Sequence, residues 1–113
     1  MAKVEIVRSL FQQIQAKFKG ESHQVIDLLE SMEFSPHKGK FLGTVGDLAI
    51  KELKYKNFRF YFVTDGFTLK CFDEEKLVDL LLLFVRMSDK NHQQQTINEI
   101  KQVLRTMGAG GFQ

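Results

Sequence analysis

The sequence predicts an α+β fold: two N-terminal helices, then an antiparallel sheet of three to four strands, then a C-terminal helix. Three observations carry this. Apolar residues recur at helical spacing between Val7 and Met32. The period drops to two between residues 48 and 63. Helical spacing returns at Ile97, Ile100, Val103, Leu104 and Met107. A period near 3.6 marks one face of a helix, and a period of two marks the alternating faces of a strand. Consecutive strands pair most simply as an antiparallel sheet, with the helices on one face.

The elements follow in order. "VEIV" (residues 4 to 7) reads as a short strand. Val7, Leu10, Phe11, Ile14 and Phe18 form the first helical stripe. "KGES" breaks it, with Gly20 as the stop and Ser22 as N-cap of the next helix. Val25, Leu28, Leu29 and Met32 form the second stripe, so the two helices form an antiparallel hairpin. Residues 34 to 47, rich in Gly and carrying Pro36, read as a loop. Strands at 48 to 55 and 58 to 63 flank a turn at Lys56-Asn57. "DGF" marks another turn and "TLKCF" a third strand. The second half of "LVDLLLLFVRM" (77 to 87) reads as the central strand. The third helix closes at Gly108. Residues 1 to 107 form one domain, and 108 to 113 a flexible tail.

Composition bounds the function. The chain has 113 residues, 43% hydrophobic and 27% charged, which suits one globular domain and not a disordered chain. Eleven Phe and no Trp mean a core built around phenyl rings. The net charge of +2 permits an anionic partner without demanding one. From Lys38 to Lys70 the bases Lys38, Lys40, Lys51, Lys54, Lys56, Arg59 and Lys70 face only Asp47, Glu52 and Asp65. The basic excess is therefore concentrated in the middle of the chain. Cys71 is the single cysteine, which excludes an internal disulfide and a thiolate metal cluster and favours a reducing compartment. No signal-peptide pattern opens the chain, and Leu80 to Val85 is too short to span a bilayer. A cytoplasmic protein without membrane attachment is expected.

The stretch "ELKYKNFRFYF" carries the chemistry. A two-residue turn at Lys56-Asn57 pairs Tyr55 with Phe58, Lys54 with Arg59, Leu53 with Phe60, Glu52 with Tyr61 and Lys51 with Phe62. Opposed residues share a face. Leu53, Tyr55, Phe58, Phe60 and Phe62 then fall on one face, and Glu52, Lys54, Arg59 and Tyr61 on the other. A slip of one residue would mix them. Lys-Asn is a weaker turn signal than Asn-Gly, so a longer loop with a shifted register is the alternative. Lys54 opposite Arg59 is repulsive. The face is either a solvated strand surface with Glu52 as partial compensation, or an anion site in which two cations hold a phosphate.

The other polar residues carry less. His23, His37 and His92 lack metal-ligand spacing. Cys71 alternates with Leu69 as a small core residue. Gly39, Gly43 and Gly46 precede a strand and no "GK[ST]", so they form no phosphate loop. Phe58, Phe60 and Phe62 share the face that helices must cover, which makes them core and not a base-stacking platform.

"KGKFLGTVGDLAIKELKYKNFRFYFV" resembles the "gk.L.g...l.ELr...yRi.Y.v" hairpin segment of the RelE/ParE toxin superfamily. "VRSLFQQIQAKF" and "HQVIDLLESM" match its helical hairpin. "LLLLFVRMSDKNHQQQTINEIKQVL" resembles the close of its phage-derived HigB-like branch. The resemblance spans about Val4 to Leu104 and implies a RelE-like β-α-α-β-β-β-α fold. It implies the toxin of a type II toxin–antitoxin pair, a ribosome-dependent endoribonuclease. The ribose 2′-hydroxyl attacks the adjacent phosphate and leaves a 2′,3′-cyclic phosphate, with no metal and no cofactor. The implied partners are a cognate antitoxin, in a heterotetramer, and the ribosome with its mRNA. Within the same superfamily the alternatives are a ParE-like gyrase inhibitor or a catalytically inactive RelE-fold binding protein.

Carried over residue by residue, the resemblance makes Glu52 of "KEL" the general base and Arg59 of "FR" the phosphate ligand. Lys54 stands beside Arg59. Arg86 of "FVRM" and Lys90 are basic positions near the end of the last strand, and His92 is the general acid, since imidazole titrates near neutral pH. Lys51, Lys56 and Tyr61 of the hairpin join Lys54, Arg86 and Lys90 as RNA- or phosphate-binding residues. The sequence departs from the pattern in three places. "CFDEEKLVD" lengthens the region before the last strand. "RMSDKNH" has no Lys pair, and no Tyr follows Arg86. "QQQT" replaces a proline-containing start to the last helix.

Overall fold

The computed structural model describes residues 3–65 and 81–112. Strand β1 is Lys3–Ile6 and helix α1 is Arg8–Phe18. The predicted stripe is the buried one, with Leu10 and Ile14 fully enclosed, while Phe11 at its margin stays exposed. The helix break differs in detail from the expectation. Lys19, not Gly20, takes a left-handed φ of 47°. Residues Lys19–Glu21 form one 3-10 turn that runs directly into α2, Ser22–Glu30. Ser22 is therefore the first residue of α2 and not its cap, because the preceding turn already has helical backbone at Glu21. Helix α2 buries Val25 and Leu29, and Met32 is enclosed in the turn after it.

Residues 34 to 47 are not wholly loop. Lys40–Val45 form β2, which pairs antiparallel with β3, Leu48–Tyr55. The register slips between Phe41 and Gly43, where Gly43 takes a φ of 152°. A bulge around glycine breaks the period-two signal that would have announced the strand. Strand β4, Phe58–Thr64, completes the hairpin with β3. Its register is the predicted one from Tyr55↔Phe58 through Lys51↔Phe62, and it extends to Ala49↔Thr64. Lys56 adopts a φ of 52°, so the two-residue turn closes without glycine.

Strand β5 is Leu81–Asp89, and helix α3 is Gln93–Met107. The third strand expected at "TLKCF" lies outside the described residues. The sheet order is β1-β5-β4-β3-β2, so β4 holds the middle and β5 lies one place from the edge. β1 runs parallel to β5, which makes the sheet mixed and not purely antiparallel. No hairpin joins β1 to β5, so nothing in the connection enforces the antiparallel sense.

Helices cover both faces of the sheet, where the sequence predicts one. On one face Leu10, Ile14, Val25 and Leu29 pack on Leu53, Phe60, Phe62, Leu82 and Phe84. Phe18 sets its ring against Tyr55 and Phe58, with centroids 5.8 and 5.1 Å away and steep interplanar angles. On the other face Ile100 and Leu104 of α3 pack on Ile50, Tyr61, Val63 and Val85. Apolar residues on both sides of β3, β4 and β5 require this second cover. No helix among the described residues is long and apolar enough to cross a membrane.

The tail is also corrected. Gly108 ends α3 at a φ of 73°, with its amide donating to the Leu104 carbonyl at 3.0 Å. Ala109–Gly111 then form a 3-10 turn that returns Phe112 to the core beside Ile100 and Leu104, with 1% of its surface exposed. Gly111 permits this close return, since a Cβ there would stand 2.6 Å from Met107 Cβ. We expect Phe112→Ala to destabilise the protein by about 3 kcal/mol, as a buried phenyl lost from a core does. Denaturant unfolding of the variant checks this, and a loss under about 0.5 kcal/mol, the range of neutral surface changes, would contradict the packed tail.

Candidate functional site

The β3–β4 register places Glu52 beside Tyr61 and Lys54 beside Arg59 on the α3 side of the sheet. α3 roofs only part of that side. Tyr61 lies beneath it, fully buried, with its hydroxyl 2.8 Å from Ser88 Oγ on β5. Glu52, Lys54 and Arg59 lie past the covered part and line an open cleft of about 550 Å³. Lys40, Gly39 and Gln93 complete its walls. Lys40 stands opposite Glu52 on β2, so three cations surround one carboxylate.

The Glu52–Arg59 pair is the core of the cleft. Arg59 Nε lies 3.6 Å from Glu52 Oε2, close enough to attract and too far to hydrogen-bond. Only 12% of the Arg59 side chain and 8% of the Glu52 side chain are exposed. Arg59 spends one amino group on the Phe58 carbonyl at 3.3 Å. Glu52 Oε2 is buried and accepts no hydrogen bond from the described residues. A desolvated carboxylate oxygen without a donor is costly, and such groups call for an explanation in ligand or chemistry. Gly39 fits the wall through its φ of 106°, and a Cβ there would come within 3.0 Å of the Glu52 carbonyl and 3.1 Å of the Phe62 ring.

The other expected site residues separate from this group. His92 lines a neighbouring depression of about 240 Å³ with Lys17, Phe58, Ser88, Asp89 and Thr96. Its Nδ1 lies 2.7 Å from Asp89 Oδ1, which also accepts from the Asn91 and His92 amides. The hydrogen bond with His92 holds the Asp89 carboxyl below its ordinary value of 3.8. Arg86 shares the Tyr61 side of the sheet, where a bulge at Val85 shifts the β4–β5 register. Its guanidinium is already committed, to Glu99 at 2.9 Å, to the Val85 carbonyl at 2.7 Å and over the Phe112 ring at 5.0 Å.

Lys51 points to the opposite face, donating to the His37 carbonyl at 3.2 Å and lying 5.9 Å from the Phe62 ring centroid. Lys56 pairs with Glu21 across the hairpin tip at 3.1 Å. Lys90 is exposed in the turn before α3 and does not line the cleft. Tyr61 is corrected from an outward phosphate ligand to a buried residue, because α3 covers the position that the hairpin alone would leave in solvent. Among the described residues, no group of three or more His, Cys, Asp or Glu is placed to hold a metal ion.

Three cleft residues escape the sequence reading: Gly39, Lys40 and Gln93. Lys40 stands in the basic middle segment, but its place depends on β2, which the Gly43 bulge conceals. Gln93 follows one residue after His92, in the "QQQT" that departs from the family pattern.

Two expectations test this arrangement. Burial raises the Tyr61 hydroxyl above its ordinary 10.0, against the opposing effect of the Ser88 hydrogen bond. The folded state therefore keeps this proton where the unfolded chain releases it. The stability from Tyr61 is complete below pH 10 and is lost as pH rises through the raised value. Tyr61→Phe should flatten this alkaline loss in pH-dependent unfolding while costing about 1 kcal/mol at neutral pH, since Ser88 loses its partner. An unchanged alkaline slope would contradict the burial. Glu52→Met alone should cost about 3 kcal/mol by stranding the Arg59 charge, whereas Glu52→Met with Arg59→Met should be neutral or stabilising by about 1 kcal/mol. Additive losses in that double-mutant cycle would show that the two side chains are not coupled.

No family model matches the sequence, and no curated protein matches it. Among solved structures, the chain is similar to a chain of the archaeal RelE–RelB complex from Pyrococcus horikoshii OT3. The two share 14% sequence identity and superpose with a TM-score of 0.54, over 79% of this chain and 94% of the other. An α+β chain with two helices on one side of a five-stranded mixed sheet, and a third on the other, adopts a RelE-like fold.

Proposed function

We propose that this protein is the toxin of a type II toxin–antitoxin pair and cleaves messenger RNA on the ribosome. The observation that carries the reading is the buried Glu52 Oε2, which accepts no hydrogen bond from the described residues, in a cleft whose other charges are Lys40, Lys54 and Arg59. Such a site is satisfied by a ligand that brings a hydrogen-bond donor and a negative charge side by side. RNA brings both, as a ribose 2′-hydroxyl next to a phosphate. The RelE-like fold supports the same reading.

In this reading Glu52 takes the proton of the 2′-hydroxyl, and the oxygen attacks the neighbouring phosphorus. Arg59 and Lys54 balance the charge that builds on the phosphate oxygens. The bond to the 5′-oxygen breaks, a 2′,3′-cyclic phosphate remains, and the leaving oxygen takes a proton. His92, which lines the neighbouring depression, is the proposed source of that proton and delivers it through a water. RelE of the solved complex is held with RelB. By analogy a cognate antitoxin restrains this protein in the cytoplasm, within a heterotetramer. The exposed Phe11 of α1 and Phe34 offer it apolar surface.

Expression of the wild type should arrest growth and cut transcripts on ribosomes. Glu52→Gln should lower the single-turnover cleavage rate about 1,000-fold, within the range of a lost general base. Arg59→Ala should lower it about 100-fold, as loss of a transition-state charge partner does. Full cleavage by both variants would sink the assignment. A second reading, a RelE-fold protein that holds its target without cutting it, is favoured by one observation: His92 does not line the cleft that holds Glu52. It predicts growth arrest with intact transcripts. Inhibition of DNA gyrase in the same cells identifies the ParE-like form.

A further inference from the structure

Gln93 is the uncharged polar side chain among the described residues that line the cleft. It is the first residue of α3, half-buried, and it stands in the wall with Glu52, Lys54 and Arg59. Its Nε2 donates to the Lys90 carbonyl at 3.0 Å. A carbonyl only accepts, so this contact fixes which end of the carboxamide faces the turn. The Oε1 is the end left over, and it makes no hydrogen bond with the described residues. The cleft wall thus carries three cations and one neutral carboxamide, anchored through its nitrogen so that its oxygen is the end left free. A neutral acceptor adds little to phosphate binding and would repel phosphate oxygens. It matches an N–H donor on a group next to the phosphate.

We propose that Gln93 is a specificity-determining residue that reads the base beside the scissile phosphate through Oε1. The inference rests on the RNA reading of the cleft. An exocyclic amine, on adenine, cytosine or guanine, donates to this oxygen from the base edge, whereas the ring N–H of uracil lies between two carbonyl oxygens that repel an approaching acceptor. Anchoring through Nε2 holds the carboxamide in one orientation. A free glutamine could rotate to offer its NH₂ to uracil, and this one would first have to release the Lys90 carbonyl.

The test uses fluorescent hexaribonucleotides that differ in the two bases flanking a central phosphate. A deoxyribose on the 5′ side of that phosphate prevents cleavage. Wild-type protein should bind the amino-bearing bases about fivefold more tightly than uracil, the scale of one neutral hydrogen bond. Gln93→Met keeps the length and helix preference but removes the acceptor, and it should bring the four bases within about twofold of one another. Gln93→Lys replaces the acceptor by a donor and should shift the preference toward the carbonyl-bearing bases uracil and guanine. A merely structural Gln93 would alter affinity for all four bases alike. Preference retained in Gln93→Met, or absent in the wild type, overturns the inference. Cleavage of an all-ribose transcript on translating ribosomes is measured separately. A wild type that selects bases without cutting defeats the nuclease reading and leaves this one standing, while a wild type that cuts without selecting defeats this one alone.

Discussion

The register of the β3–β4 hairpin is the constraint on which the rest of the molecule depends. The side-chain period of a strand is two, so a one-residue slip would send Leu53, Phe60 and Phe62 to the opposite face. Those three residues sit at the centre of the core that α1 and α2 cover. The same slip would break the grouping of Glu52, Lys54 and Arg59. Core and cleft are therefore fixed by one decision, made at a turn whose first residue, Lys56, accepts a left-handed backbone without being glycine. The core has the stronger vote. Burying several phenyl rings outweighs an unfavourable turn conformation costing on the order of 1 kcal/mol.

The second cover, α3, decides which part of the polar face becomes a site. Beneath Ile100 and Leu104 the face is apolar apart from Tyr61, whose hydroxyl is satisfied by Ser88. Arg86 is drawn into the same layer and turned to structural use, tying β5 to α3 through Glu99 and lying over Phe112. The Phe112 ring therefore does more than fill space. It occupies one face of a guanidinium that would otherwise be free for a phosphate. Beyond the reach of α3 no described element covers the strands, and Glu52, Lys54 and Arg59 line the cleft there.

Local patterning made the hairpin legible in the sequence, down to its pairs, because one alternating run faced another across two residues. α1, α2 and α3 were legible from their stripes. β2 was not, because Gly43 interrupts its alternation and its exposed edge carries Lys40, Phe41 and Thr44 on both sides. The two-sided cover was hidden for a related reason. Tyr61 and Glu52 share a polar-looking face in the sequence, and only the landing site of α3 distinguishes the hydroxyl enclosed beneath it from the carboxylate at the cleft. His92 and Gln93 differ by one position at the start of a helix. Adjacent helical residues point about 100° apart, so a one-residue uncertainty at the helix start is enough to exchange which side chain lines the cleft.

Glu52 finally separates a decorated surface from a site. An ordinary solvated strand face leaves its carboxylates in water, where an ion pair contributes little. Here Oε2 is withdrawn from water and accepts no hydrogen bond from the described residues, with Arg59 held just beyond hydrogen-bonding distance. Selection for stability alone would favour closing that gap, or replacing both groups by apolar side chains of similar volume. Neither has happened, and the surrounding cations would make a second anion welcome beside the first. The arrangement is under-satisfied in a specific way, lacking one donor near Oε2 and one negative charge near Arg59 and Lys54. In the proposed reading, a ribose 2′-hydroxyl and its neighbouring 3′-phosphate supply the two together.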